Sequence, residues 1–315
     1  MPKHLSLNLV YDDPSPGDVS LRLFYNDVPV IDGLWSFDVA RRGKKLRMCG
    51  DWTEICEYEE GGCEYLEIDM PLQDDYRLQR HLILDHDDDL VILADTVLWD
   101  GEETADGRPQ TADCVERSST LPAAVSNLAF ESQLSLNRDF SATVIEGTPG
   151  VLYHDGRQQK FRRTKLDAAV SRQPSAVCRP CFRVLPIAFP GKTDSKTKAG
   201  TNERFLSAEG NLLIYRHEVP GMALFAPLVF DFRPTRFKKA LVWRQLTVGE
   251  NLEKVTDDVA VGYRFQFGKE QFLLYHSLAE PTNRTVLGHN LIDDLCFARF
   301  SPKEGVEALL EVQRE

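Results

Sequence analysis

The sequence predicts an all-β protein built as one large antiparallel sandwich, and three observations carry that reading. Glu64–Met70 alternates, with Leu66, Ile68 and Met70 on one side and Tyr65, Glu67 and Asp69 on the other, the period of a strand with one wet face. Two nearly continuous apolar runs, Leu82–Leu84 and Leu90–Trp99, flank the five residues Asp85–Asp89, which suit a hairpin turn. Helical periodicity is scarce over 315 residues, its best candidate being the short stretch Leu121–Leu128.

Strand-like segments recur from the start. Leu5, Leu7 and Leu9 alternate with Ser6 and Asn8; Val19–Tyr25 and Leu34–Val39 follow, each bounded by Asp, Pro or Gly. Trp52–Tyr58, Gln133–Leu136 and Thr143–Ile145 read the same way. Late in the chain come Leu212–Tyr215, Leu224–Phe232, Ala240–Val248, Val259–Phe267, Phe272–Leu278 and Leu295–Phe300. Many strands with polar turns between them, roughly twenty in all, point to a supersandwich rather than to packed helices. Two stretches read as long loops, 100–119 and 190–204, the second locally basic through Lys192, Lys196 and Lys198. No composition shift demands a boundary, so 1–315 is expected to form a single large domain.

Hydrophobic content of 42% and charged content of 27% are those of an ordinary globular chain, long enough for a sizeable core. The formal net charge of -12 repels phosphate backbones and anionic lipid heads, so neither nucleic acid nor a membrane is an expected partner. No apolar window reaches the length of a membrane span. The segment ahead of Asp12 and Asp13 lacks the apolar core of a secretory signal. Seven scattered cysteines in such a chain are expected to be reduced thiols in a cytoplasm.

Local motifs carry little chemistry. Cys178-Arg-Pro-Cys181 has the spacing of a metal or dithiol pair, but no second pair or His pair completes a zinc set and no thioredoxin-like context surrounds it. It stays a weak metal candidate, and no cofactor is expected. Asp85-His86-Asp87-Asp88-Asp89 resembles a calcium loop superficially, but Leu90 and Thr96 stand where that loop needs Gly and an acid. Tyr263, Phe265 and Phe267 share one strand face, suited to core packing or to stacking on sugar rings. The polar segment late in the chain offers His276, Glu280, Arg284 and His289 as catalytic candidates, with Tyr263, Tyr275, Asn283 and Asn290 as ligand-binding candidates. An imidazole, an arginine and carboxylates in one stretch suit acid–base work or the binding of sugar hydroxyls. A hydrogen-bonded structural loop is the alternative. No nucleophile elbow, phosphate loop or dinucleotide fingerprint is present.

Tyr76-Arg77-Leu78-Gln79-Arg80-His81-Leu82-Ile83-Leu84 with Leu90-Val91-Ile92-Leu93-Ala94-Asp95 resembles a strand pair in the C-terminal β-sandwich of heparinase II/III-type polysaccharide lyases. Arg284–Asp293 is similar to that family's R…HNT…VDG stretch, although here it follows the Arg-rich strand instead of preceding it. The resemblance implies a galactose-mutarotase-like supersandwich of carbohydrate-enzyme type. It does not carry lyase activity, because the helical part that bears the family's catalytic residues has no counterpart in this chain. The expected function is binding of a polysaccharide or oligosaccharide, or of a protein partner, without catalysis. A carbohydrate-active enzyme of lyase or epimerase type and a purely structural interaction protein are the alternatives.

Overall fold

The computed structural model describes residues 4–11, 17, 19–101, 127–144, 151–155, 180–189, 206–301 and 305–313. The loop 190–204, residues 102–119 of the other loop, residues 121–126 of the expected helix and Cys178 lie outside them. Among the described residues twenty-four strands, β1 to β24 in chain order, form four antiparallel sheets. Among the described residues the sole helical element is a 3-10 turn, Pro234–Arg236.

The first sheet holds β1 (Leu5–Val10), β2 (Val19–Tyr25), β3 (Val28–Arg41), β9 (Asn127–Leu136), β14 (Leu212–Pro220) and β13 (Leu206–Glu209) in that order, with β4 (Lys44–Lys45) paired to β3. The second runs β10 (Phe140–Val144), β11 (Val151–Asp155), β12 (Pro180–Pro186), β15 (Leu224–Asp231), β8 (Leu90–Trp99), β7 (Tyr76–Asp85), β6 (Cys63–Pro71), β5 (Thr53–Glu60). The third is β16 (Leu241–Leu246), β19 (Ala260–Phe267), β20 (Glu270–Ser277), β23 (Leu295–Ser301), β24 (Gly305–Val312). The fourth is small: β18 (Glu253–Lys254), β17 (Val248–Glu250), β21 (Arg284–Val286), β22 (His289–Leu291).

The sheets stack in that sequence, because three apolar cores separate them. Leu21, Trp35, Phe130 and Tyr215 of the first sheet meet Leu78, Leu93 and Phe230 of the second. Ile83, Ile92 and Phe225 from the other side of the second sheet meet Tyr263, Phe265 and Phe297 of the third. Leu273, Tyr275 and Cys296 of the third meet Val248, Val286 and Leu291 of the fourth. The second sheet is therefore covered on both faces at its centre, and β8 and β15 are buried along nearly their whole length. A strand with no wet face has no reason to alternate, which explains the continuous apolar runs.

One expectation is corrected by this stacking. The side of β6 that carries Tyr65 and Glu67 does not face water; both residues are almost fully buried against the third sheet. Polar side chains on that strand pack into a second core instead.

Charged groups staple the layers. Arg80 of β7 lies fully buried opposite Asp95 of β8, Nε to Oδ1 at 2.9 Å, with its guanidinium over the rings of Trp35 at 4.2 Å and Trp52 at 4.8 Å. At the β7–β8 turn the Asp88 carboxylate accepts from Arg233 at 2.9 Å and from Arg236 and Arg299, both at 2.6 Å. The acidic hairpin read from the sequence is thus an anchor for three distant arginines, and the Asp85 carboxylate ties the turn by accepting from the Asp87 and Asp88 amides.

Candidate ligand-binding cleft

A cleft of about 430 Å³ opens where the first, second and third sheets meet. Strand β14 contributes His217 and Val219, β15 contributes Leu224 and Phe225, β16 contributes Gln245, and β19 contributes Val261 and Tyr263. The segment after β18 closes one side with Thr256, Asp257 and Asp258, beside Lys254. Gln245 and Tyr263 stand directly opposite each other in the β16–β19 ladder, so their side chains leave the sheet on the same face.

Local sequence explains the walls. The Thr256 carbonyl accepts from the Val259 and Ala260 amides, folding Asp257 and Asp258 into a tight turn ahead of β19. Between β14 and β15 the chain turns at Pro220-Gly221, where Gly221 has φ +150° and a β-carbon would lie 3.0 Å from an Asp258 carboxylate oxygen. Only glycine permits that close approach together with that backbone.

Among the described residues the polar side chains of the cleft are uncommitted. Nδ1 of His217 has no hydrogen-bond partner among the described residues, although its ring lies 4.8 Å from Phe189. Burial pushes the His217 imidazole down to about 4, so it is neutral at physiological pH. Burial, and then the charge of Asp257, push the Tyr263 phenol up, so it keeps its proton. Asp257, Asp258 and Lys254 form no ion pair among the described residues. The cleft thus presents an amide and two carboxylates against one ammonium, over a floor of buried Phe225 and Tyr263 and half-buried His217.

The residues singled out in the sequence fall in several places. Tyr263 lines this cleft; Phe265 and Phe267 are core residues without exposure. His276 is sealed in the second core, its ring 4.8 Å from those of His81 and Phe225. There it adjoins a buried polar chain in which Tyr65 donates to Glu67 at 2.8 Å, His81 Nδ1 lies 2.9 Å from the Tyr65 hydroxyl, and His81 Nε2 lies 2.9 Å from Thr96 Oγ1. Arg284 is 2% exposed and saturated: it donates to Glu250 at 3.0 Å, to the Ser277 hydroxyl at 2.5 Å and to the Glu280 carbonyl at 2.9 Å. These bonds fasten the fourth sheet to the third. Tyr275 is buried beside Arg284. His289 is half-buried on β22 against Phe300, on a different sheet from His276. Glu280, Asn283 and Asn290 are exposed, and Asn290 accepts from Thr285. Sequence neighbours are therefore divided between a core, a staple and an outer sheet. Cys181 falls on β12.

The sequence reading missed His217, Gln245 and the Asp257-Asp258 turn. The turn left a visible trace, a Thr-Asp-Asp run just before a strand, but nothing local tied it to His217, which lies on another sheet.

No family model and no curated protein matches the chain. Among solved structures it is similar to a heparinase III gene product, with 8% identity over 82% of this chain and 36% of that one at a TM-score of 0.42. It is similar also to the heparan sulfate lyase HepC mutant from Pedobacter heparinus, with 10% identity over 84% and 37% at 0.41. A third likeness is to a beta-arabinopyranosidase, with 9% identity over 73% and 39% at 0.33. The chain spans little more than a third of the length of these proteins, and the likeness is a weak structural one. Among the described residues no helix is long and apolar enough to cross a membrane.

Proposed function

We propose that this chain is a saccharide-binding β-sandwich protein whose ligand occupies the cleft between β14, β15, β16 and β19. The observation that carries the reading is the set of polar groups, uncommitted among the described residues, that rim the cleft above a buried floor. Gln245 offers an exposed amide, Asp257 and Asp258 carboxylates without an ion pair among the described residues, and the buried Phe225 and Tyr263 with the half-buried His217 form the floor beneath them. Sugar hydroxyls each donate and accept, so amide and carboxylate groups at fixed positions select among them. The electrostatics favour a neutral saccharide or an amino sugar. Two carboxylates outnumber the one lysine, the imidazole is neutral, and the chain's net charge is -12, so a polyanionic glycan meets repulsion from near and far.

The test is titration of the full chain with neutral, aminated and sulfated oligosaccharides, followed by calorimetry on the best binder. A neutral or aminated glycan should bind, and Asp258→Asn or Gln245→Ala should weaken it about tenfold or more, the loss expected for an unpaired polar contact. Preference for sulfated glycans, or retention of affinity in both variants, would overturn the proposal.

A further inference from the structure

The outward face of the third sheet carries two arginines in direct opposition. In the β16–β19 ladder Arg244 pairs with Arg264. Strand parity sends both away from the second core, to the side of Leu246 and Gly262, where the small fourth sheet covers part of the surface. Arg244 is exposed and Arg264 half-buried.

Opposed like charges on neighbouring antiparallel strands repel, and sheets ordinarily avoid them. Several strand arginines do face carboxylates: Arg80 faces Asp95, Arg183 faces Asp231, Arg216 faces Glu131 and Arg284 faces Glu250. Arg244 and Arg264 have no ion pair and no hydrogen-bond partner among the described residues. Burial, and then the charge of Arg244, push the Arg264 guanidinium below the ordinary arginine range, and no carboxylate acts against that shift.

A recess of about 350 Å³ adjoins Arg244, lined by it together with Gln245, Leu246, Thr247 and Leu287. Leu287 opens the β21–β22 turn at φ +52°, a left-handed backbone that costs a leucine roughly 1 kcal/mol or more. A strained apolar residue thus forms one wall of the recess, with a hydroxyl and a guanidinium also on its lining.

We propose that Arg244 and Arg264 bind a doubly charged oxyanion group, a phosphate or sulfate, whose attached body lies in the recess beside Thr247 and Leu287. Two guanidiniums present planar donor forks that match a tetrahedral oxyanion, and two negative charges relieve the repulsion between them. The two guanidiniums leave β16 and β19 on the face opposite to Tyr263, while Gln245 lines both this recess and the saccharide cleft.

The experiment is thermal unfolding and calorimetry of the full chain in sodium sulfate, sodium phosphate and sodium chloride at matched ionic strength. Sulfate and phosphate should raise the melting temperature beyond chloride. Arg264→Gln should abolish that difference, weaken phosphate at least tenfold and raise the melting temperature in low-salt chloride, since it removes a repulsion. Asp258→Asn, in the cleft, should leave the anion response unchanged. A hexose phosphate binding more tightly than inorganic phosphate would assign the ligand to sugar esters, and equal affinity would assign it to the free oxyanion; both support the site. Equal response to all three salts, or an Arg264→Gln variant that keeps the sulfate response, overturns the proposal.

Discussion

Replacing Arg80 with Met removes the positive partner of a fully buried carboxylate, and the structure sets both the size and the pH dependence of the loss. Asp95 is 2% exposed, and burial already pushes its carboxyl up against the opposing pull of Arg80. Without Arg80 a charged Asp95 would cost about 3–5 kcal/mol. It escapes by taking a proton, which costs about 1.4 kcal/mol for each pH unit above the ordinary carboxyl value of about 3.9. At pH 7 that caps the electrostatic loss at about 4 kcal/mol; at pH 5 the cap falls to about 1.5 kcal/mol. Methionine refills the methylene stem but not the stacking on Trp35 and Trp52, a further loss of about 1–2 kcal/mol at either pH. The sign follows from linkage: the variant's carboxyl is raised above its unfolded value, so stability falls as pH rises through the acidic range. Urea unfolding at pH 5 and pH 7 measures it, with Arg80→Met/Asp95→Leu as the second arm. Removing both charges should restore most of the loss. A single variant within about 1 kcal/mol of wild type at pH 7 would falsify the account, as would equal losses at the two pH values or a double variant no more stable than the single.

Three further outcomes are expected. Burial, and then the neighbouring Asp88 charge, push the Asp85 carboxyl up to about 6, so its ionised form costs stability as pH rises from about 3.9 through 6. Asp85→Asn should therefore stabilise the protein by about 1–3 kcal/mol at pH 7.5 and give no gain at pH 3.5, read by the same unfolding assay. Leu252 sits fully exposed at φ +69° in the two-residue Asn251-Leu252 turn between β17 and β18, where a glycine is favoured. Leu252→Gly should raise stability by about 1 kcal/mol, and a loss there would show that the leucine makes a contact in solution. Gly221→Ala should displace Asp258 and strain the β14–β15 turn, weakening saccharide affinity in calorimetry more than it lowers the unfolding midpoint; unchanged affinity would remove Asp258 from the cleft.

The alternation and the apolar runs in the sequence were sufficient for the class of the fold, because a strand's two faces are written in every second residue. The Asp85–Asp89 hairpin was legible for the same local reason, whereas the Asp85 carboxylate that ties the turn came only with the structure. What periodicity cannot carry is how many layers cover a strand. Tyr65 and Glu67 look like a wet face until the third sheet lies on them, and Tyr263, Phe265 and Phe267 look equally like a platform or a core. The site was decided wholly by tertiary structure. His276, Arg284 and His289 are close in sequence, yet a β-sheet sends successive segments to opposite faces and to different sheets, so one became core, one a staple and one an outer strand. His217 and Asp258 are far apart along the chain, and they face one cleft because antiparallel stacking brings the ends of distant strands to a common edge.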